Sequence, residues 1–218
     1  MTSHSSLISK RQPSLELHFS VTSKLKRLID ILGAMVGLLI LAIVLLPIAL
    51  LIKLDSPGSV FYSQVRCGVH GRPFRIWKFR SMVSSADRMQ HLVRNEAQGL
   101  IFKNSGDPRI TRIGKFLRRT SLDELPQFWN VLRGEMSLVG TRPPTLDEVS
   151  RYQAHHWKRL SVKPGMTGVW QVYGRSTIKD FEQIVELDLR YLRLWSVRYD
   201  LELIVKTIWI VLSCRGAY

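Results

Sequence analysis

Asp123 and Glu124 stand side by side in Arg118-Arg119-Thr120-Ser121-Leu122-Asp123-Glu124-Leu125-Pro126, two carboxylates close behind two guanidinium groups. That pairing suits a site where a divalent cation meets a diphosphate. Mg²⁺ takes one or two carboxylates together with phosphate oxygens, and it screens the repulsion between an attacking carboxylate and an anionic phosphate. An aspartate can itself serve as a covalent phosphoryl acceptor. Further cationic donors are Lys78 and Arg80 in KFRSM, Arg109 and Arg112 in DPRITR, and Arg142 in GTRPP, where two prolines stiffen the loop. For any one of these, a solvated surface charge is the competing reading.

The elements that must position the carboxylates can be read from their neighbours. Pro126 suits the first turn of a helix running through Gln127, Phe128, Trp129, Val131 and Leu132 to a stop at Gly134. Asp123 and Glu124 then lie at its N-terminus, where the helix dipole favours anions. Ser121 to Glu124 also matches a capping box, a purely structural use of the same residues. A helix starting that early would place Pro126 at its fifth position, where it costs a hydrogen bond.

Upstream, Val60 to Val65 and Pro73 to Phe79 are β-rich runs around a Gly68 to Gly71 turn, the pattern of a small hairpin. Residues 84–103 read as a helix with Met89, Leu92 and Val93 on one face and a stop near Gly99. Downstream, VKPGMTGVWQVYGRS is a punctuated loop, followed by a helical pattern from Ile178 to about Tyr199. Asp200 is read as the N-cap of a last apolar segment, LELIVKTIWIVLSCR, too short and charged to cross a bilayer. It suits the headgroup plane, with Trp195 and Trp209 as anchors, or an ordinary core position.

The chain has 218 residues, 45% of them hydrophobic, enough for a real core. A formal charge of +15, from 32 Lys and Arg against 17 Asp and Glu, calls for an anionic partner: nucleic acid, an anionic leaflet or phosphorylated substrates. Cys67 and Cys214 have no partners at metal-ligand spacing, so neither a disulfide framework nor a zinc site is expected.

From Ile31 to Ile52 no residue is charged, a run long enough to cross a bilayer. Two features argue against a simple crossing. Pro47 disturbs the bond to the carbonyl of Ile43. Lys24, Lys26 and Arg27 precede the run while Lys53, Arg66, Arg72, Arg75, Lys78 and Arg80 follow it, so both flanks carry the excess of a cytoplasmic face. A helix that enters, breaks near Pro47 and returns satisfies both; a Pro-kinked spanning helix is the alternative. The expected fold is α+β and mainly helical: residues 1–23 a flexible tail, 24–54 a re-entrant helix-break-helix hairpin, and 55–218 a small cytoplasmic-face catalytic domain with amphipathic interfacial helices.

KRLIDILGA, FYSQVRCGVHGRPFRIWKFRSM, DPRITRIGKFLRRTSLDELPQFWNVLRGEMSLVG and VKPGMTGVWQVYGR, in this order, resemble the bacterial sugar transferases, the monotopic polyprenyl-phosphate phosphoglycosyl transferases. The resemblance covers about residues 24–213. It implies transfer of a hexose-1-phosphate from a UDP-sugar to undecaprenyl phosphate with release of UMP, by a ping-pong route. In that scheme Asp123 is the nucleophile, and Glu124 and Asp123 hold Mg²⁺, while Lys78, Arg118 and Arg142 contact phosphates. It further implies an early membrane step of exopolysaccharide, capsule or O-antigen assembly at the cytoplasmic face of the bacterial inner membrane. The partners would be UDP-sugar, undecaprenyl phosphate and anionic inner-membrane lipid; a homodimer is compatible with this reading. Residue 141 is Thr where many relatives carry Pro, and residue 46 is Leu where some carry Ser. Larger relatives carry a multi-helix N-terminal membrane region, and the chain reads as a minimal member. A basic membrane-anchored binding protein is the competing class. It leaves the paired carboxylates unexplained, and no nucleic-acid-binding pattern is present.

Overall fold

A computed structural model describes residues 16–174 and 177–213. The first 15 residues of the expected tail, Arg175 and Ser176 of the punctuated loop, and Cys214 lie outside these described residues. The part of the tail that is described includes a helical turn, Phe19–Thr22, with Ser20 buried.

Helix α1 spans Lys24–Asp55, and Ser23 opens it by accepting the N–H of Lys26. A single helix continues through Pro47, so the expected helix-break-helix is not seen as two separate helices. One face carries an almost unbroken apolar stripe open to the surroundings, including Leu32, Met35, Leu39, Ile43, Leu46, Leu50 and Leu54. The opposite face packs on the rest of the chain. Gly37 is required there, since a Cβ would lie 2.3 Å from the ring of Phe128.

Strands β1 (Phe61–Cys67) and β2 (Pro73–Phe79) form the expected antiparallel hairpin, pairing Tyr62 with Lys78 and Arg66 with Phe74. The turn places His70 at φ 54° and Gly71 at φ 74°. Residues 84–103 are not the helix their composition suggests. They form turns with one 3₁₀ segment, Gln90–Leu92, and Leu92 is exposed. Asn95 explains part of this: its side-chain oxygen accepts the N–H groups of Ala97 and Lys103, replacing helical partners.

Helix α2 (Arg112–Arg119), a 3₁₀ turn (Leu122–Glu124) and α3 (Gln127–Arg133) follow, with Pro126 heading α3 and Gly134, at φ 79°, ending it. The short strands β3 (Ser137–Val139) and β4 (Gly165–Thr167) are parallel; α4 (Leu146–Ser150), which packs on β1, comes between them in the chain, and α5 (Val169–Tyr173) follows β4. The two expected C-terminal helices are present, but the break between them falls earlier than Asp200. Helix α6 (Phe181–Leu194) stops at Trp195, and α7 (Val197–Leu212) is capped by Ser196, whose side chain accepts the N–H of Tyr199. Asp200 is therefore not a cap. It lies inside α7, buried against Lys26 of α1 at 2.6 Å. Trp195 donates to Asp200 and packs edge-on against Phe19, whereas Trp209 stays exposed.

Several charges counted as flanks of the apolar run are bound internally. Arg27 donates to the carbonyls of Val131 and Leu132 at the end of α3, at 2.8 and 2.6 Å. Arg80 caps α1 through the carbonyls of Ser56 and Pro57. Both ends of α1 thus dock on one body: Asp30 accepts from Ser137 and the N–H of Leu138, and Asp55 accepts the N–H of Ile113.

Candidate active site

The sequence Leu122-Asp123-Glu124-Leu125 sorts itself by the 3₁₀ repeat, in which residues three apart share a face. Leu122 and Leu125 pack beside a core of Ile48 and Ile52 of α1, Phe79 of β2 and Leu117 of α2. The turn bearing the two carboxylates is thereby seated on the second half of the apolar helix. Ser121 enters it at φ 57°, a left-handed conformation costing on the order of 1 kcal/mol for a residue with a Cβ. It makes no side-chain cap bond, so the capping-box alternative is not realised.

Asp123 is 5% exposed, while the neighbouring carboxylate is more open. Lys78, on β2, donates to Glu124 Oε1 at 2.8 Å. Arg118 comes from the last turn of α2 and donates its Nε–H to Ser81 Oγ at 2.9 Å. Burial lowers the proton affinity of its guanidinium, and the charges of Asp123, Asp107 and Glu124 oppose that effect. The structure thus brings four expected residues together: Lys78, Arg118, Asp123 and Glu124.

Arg142 is held elsewhere. It donates to Glu148 at 3.1 Å, and its guanidinium carbon lies 5.9 Å from the ring centre of Trp170. Its neighbour is Arg66, which burial and the like charge of Arg142 bring down to about 10. Arg66 and Lys78 belong to one face of the hairpin, with Lys78 paired to Tyr62, four residues before Arg66. At about 3.4 Å per residue, the two positions are separated by about 14 Å along the strands. Thr141, the departure beside Arg142, is buried and donates its hydroxyl to the carbonyl of Arg159 at 3.0 Å, tying down the loop. Leu46, the other departure, faces outward.

Of the further cations, Arg109 is clasped by Asp107 at 2.6 Å and Arg80 by the end of α1, so both serve the fold. Asn130 was not legible as a site-shaping residue. Its fully buried amide accepts the N–H of Trp77 at 3.3 Å and donates to the carbonyl of Arg75 at 2.8 Å. It therefore docks α3 on the outer edge of β2, fixing Lys78 opposite Glu124. The available signal was a polar side chain three residues after Gln127, on the buried face of α3.

Asp123 and Glu124 supply hard oxygen donors on one short turn, a set suited to Mg²⁺. The other acid-imidazole cluster is less suited to a metal. His155 and His156 approach Glu182 at 3.0 and 2.8 Å, both through Nε2. His156 Nδ1 accepts the N–H of Gln153, so the neutral ring carries its proton on Nε2, the atom a metal would need. The cluster is a clasp between the segment His156–Ser161 and α6.

The family model described as bacterial sugar transferase matches residues 21–214. Galactosyl transferase CpsE of Streptococcus agalactiae is 52% identical over 194 residues, covering 88% of this chain and 43% of that protein. The UDP-glucose:undecaprenyl-phosphate glucose-1-phosphate transferase of Escherichia coli is 43% identical, over 91% of this chain and 42% of its own length. The exopolysaccharide production protein ExoY of Rhizobium meliloti is 40% identical, over 88% of each chain. The chain therefore spans less than half the length of the first two relatives and most of the third.

Proposed function

The chain belongs to the bacterial sugar transferase family, and from that premise we propose that it transfers a hexose-1-phosphate from a UDP-sugar to undecaprenyl phosphate. The observation that carries this is the seat of the Asp123–Glu124 turn: its leucines rest on the apolar helix while Lys78 bonds Glu124 and the Arg118 guanidinium lies within range of both carboxylate charges. A nucleophile so placed can meet a water-soluble nucleotide sugar and a lipid phosphate at one surface. The names of the Escherichia coli and Rhizobium meliloti relatives support the reaction and its use in exopolysaccharide assembly.

In the proposed reaction a carboxylate oxygen of Asp123 attacks the phosphorus that carries the sugar. The bond from that phosphorus to the bridging oxygen breaks and UMP leaves, its new terminal oxygen holding the electron pair. The enzyme then bears an acyl phosphate. An oxygen of undecaprenyl phosphate attacks the same phosphorus, forming the lipid diphosphate sugar and restoring the carboxylate. Arg118 and Lys78 offset phosphate charge, and Arg142, at the far end of the hairpin, would hold a more distant anionic portion of the same substrate. Asp123 and Glu124 would hold Mg²⁺, which supplies charge neutralisation on the phosphates.

The membrane reading follows from helix α1. It is long and apolar enough to cross a bilayer, yet both its ends dock on the same body. A spanning helix would separate those ends by the roughly 30 Å of hydrocarbon. A helix that enters and leaves by one face, bent at Pro47, avoids this. Exposed Leu201, Val205, Ile208 and Trp209 on α7 suit the headgroup plane of an anionic cytoplasmic leaflet.

Intact-protein mass spectrometry after rapid quenching tests the chemistry. With UDP-sugar and no lipid acceptor, one sugar-phosphate should accumulate on Asp123; Asp123→Asn should abolish it and Glu124→Gln should slow it. Turnover without any adduct, together with intersecting initial-rate plots, would instead support direct attack by the lipid phosphate.

A further inference from the structure

We infer that Ser81 is a positioning residue for the phosphate grip, aiming Arg118 so that only the end of its guanidinium, both terminal nitrogens, faces the substrate. The inference rests on the phosphoryl-transfer reading above and adds a residue to it.

A guanidinium can meet an oxyanion along its Nε side or across its two terminal nitrogens. Ser81 removes the first option. Its hydroxyl oxygen accepts the Nε–H of Arg118 at 2.9 Å. Among the described residues, the terminal nitrogens of Arg118 have no hydrogen-bond partner. The guanidinium lies close enough to feel the charges of Asp123, Asp107 and Glu124. An Arg in a half-buried site with those donors unused is set for a phosphate.

The backbone makes this aim reproducible. Gly114 lies one helical turn before Arg118, on the same face of α2. A Cβ there would stand 1.9 Å from the carbonyl oxygen of Ser81, so only glycine lets the helix approach this closely. That same carbonyl accepts the N–H of Thr111, the cap of α2. Helix and loop are therefore locked together at Gly114, and one turn later the Arg118 side chain meets the Ser81 hydroxyl. Ser81 is only 7% exposed, so water competes poorly for that bond.

The test uses the full chain in detergent micelles with undecaprenyl phosphate, Mg²⁺ and UDP-glucose or UDP-galactose, whichever the wild type turns over, following UMP release. Ser81→Ala should lower kcat/KM roughly tenfold, the scale of one charge-assisted hydrogen bond. Its melting temperature should stay near that of the wild type, since among the described residues the hydroxyl has no partner other than Arg118. Ser81→Thr, which restores the hydroxyl, should recover most of the loss. In an Arg118→Lys background, which lacks the Nε–H, Ser81→Ala should change the residual rate by less than about twofold.

Wild-type kcat/KM in Ser81→Ala overturns the proposal. So does an equal loss in both backgrounds, and so does a Ser81→Ala chain that melts far below the wild type, which would assign the hydroxyl to the fold. A wild type that releases no UMP from any UDP-sugar refutes the functional reading instead, a separate outcome.

Discussion

Lys26, in the first turn of the apolar helix, and Asp200, in the last helix, form a buried ion pair with Nζ and Oδ2 2.6 Å apart. Tyr191 and Trp195 add hydrogen bonds to Asp200 at 2.8 and 3.0 Å, and Lys26 also reaches the carbonyl of Val139. The pair fastens the entry of α1 to the C-terminal part of the chain. Lys26→Met leaves a buried carboxylate without its counter-charge and should cost about 3–5 kcal/mol of stability. Adding Asp200→Asn should recover part of that loss. Melting of the purified single and double variants checks this; equal stability of Lys26→Met and wild type would contradict it.

The same-face reading of α1 makes a labelling prediction. Cysteines introduced at Leu17 and Arg72, both exposed, should react with a membrane-impermeant reagent only from the cytoplasmic side of sealed vesicles. Cys67 is buried and its thiol is pushed up to about 12, chiefly by burial, so it contributes little background; Cys214 is replaced by Ser. Labelling of either position from the opposite side restores a spanning helix.

Arg118→Lys keeps a positive charge but removes the planar fork. Turnover should fall by roughly two orders of magnitude with the melting temperature unchanged, because among the described residues the one side-chain bond lost is that to Ser81. Activity equal to wild type would make Arg118 a surface charge of no catalytic consequence.

Acid should destabilise the chain through two imidazoles. His18 and His156 are both held below the ordinary histidine range, with burial the main cause. In each ring Nδ1 accepts a backbone N–H, from Ser20 at 3.2 Å and from Gln153 at 3.0 Å, a bond that a second proton destroys. The unfolded chain binds these protons more readily. The stability they contribute is therefore complete above about pH 6.5 and is lost as pH falls below it toward the folded values. Melting temperature measured from pH 7.5 down to 5.5 should decline, and His18→Asn with His156→Asn should flatten the decline. A wild-type profile that rises on acidification would reverse this account.

Much of the local structure was legible without coordinates, because it depends on neighbours in the chain. The Gly68–Gly71 turn, the strands beside it, the helix after Pro126 and its stop at Gly134 follow from φ restrictions and short-range periodicity. So does the apolar helix, whose composition leaves few alternatives. The paired carboxylates were identifiable because Asp123 and Glu124 are adjacent residues behind two arginines. Tertiary structure decided what depends on partners distant in sequence. Lys26, Arg27 and Arg80 counted equally as flank charges, yet each is consumed by a carboxylate or by helix-terminal carbonyls far along the chain. Asp200 looked like a cap because a helix was expected to start after it; burial against Lys26 drew it inside α7, and Ser196 took the cap. Arg118 and Arg142 were indistinguishable as donors, but one is held by Ser81 within range of the Asp123 charge and the other by Glu148. A side chain's charge is fixed by its chemistry, whereas the group that answers that charge is chosen only when packing brings two distant segments together.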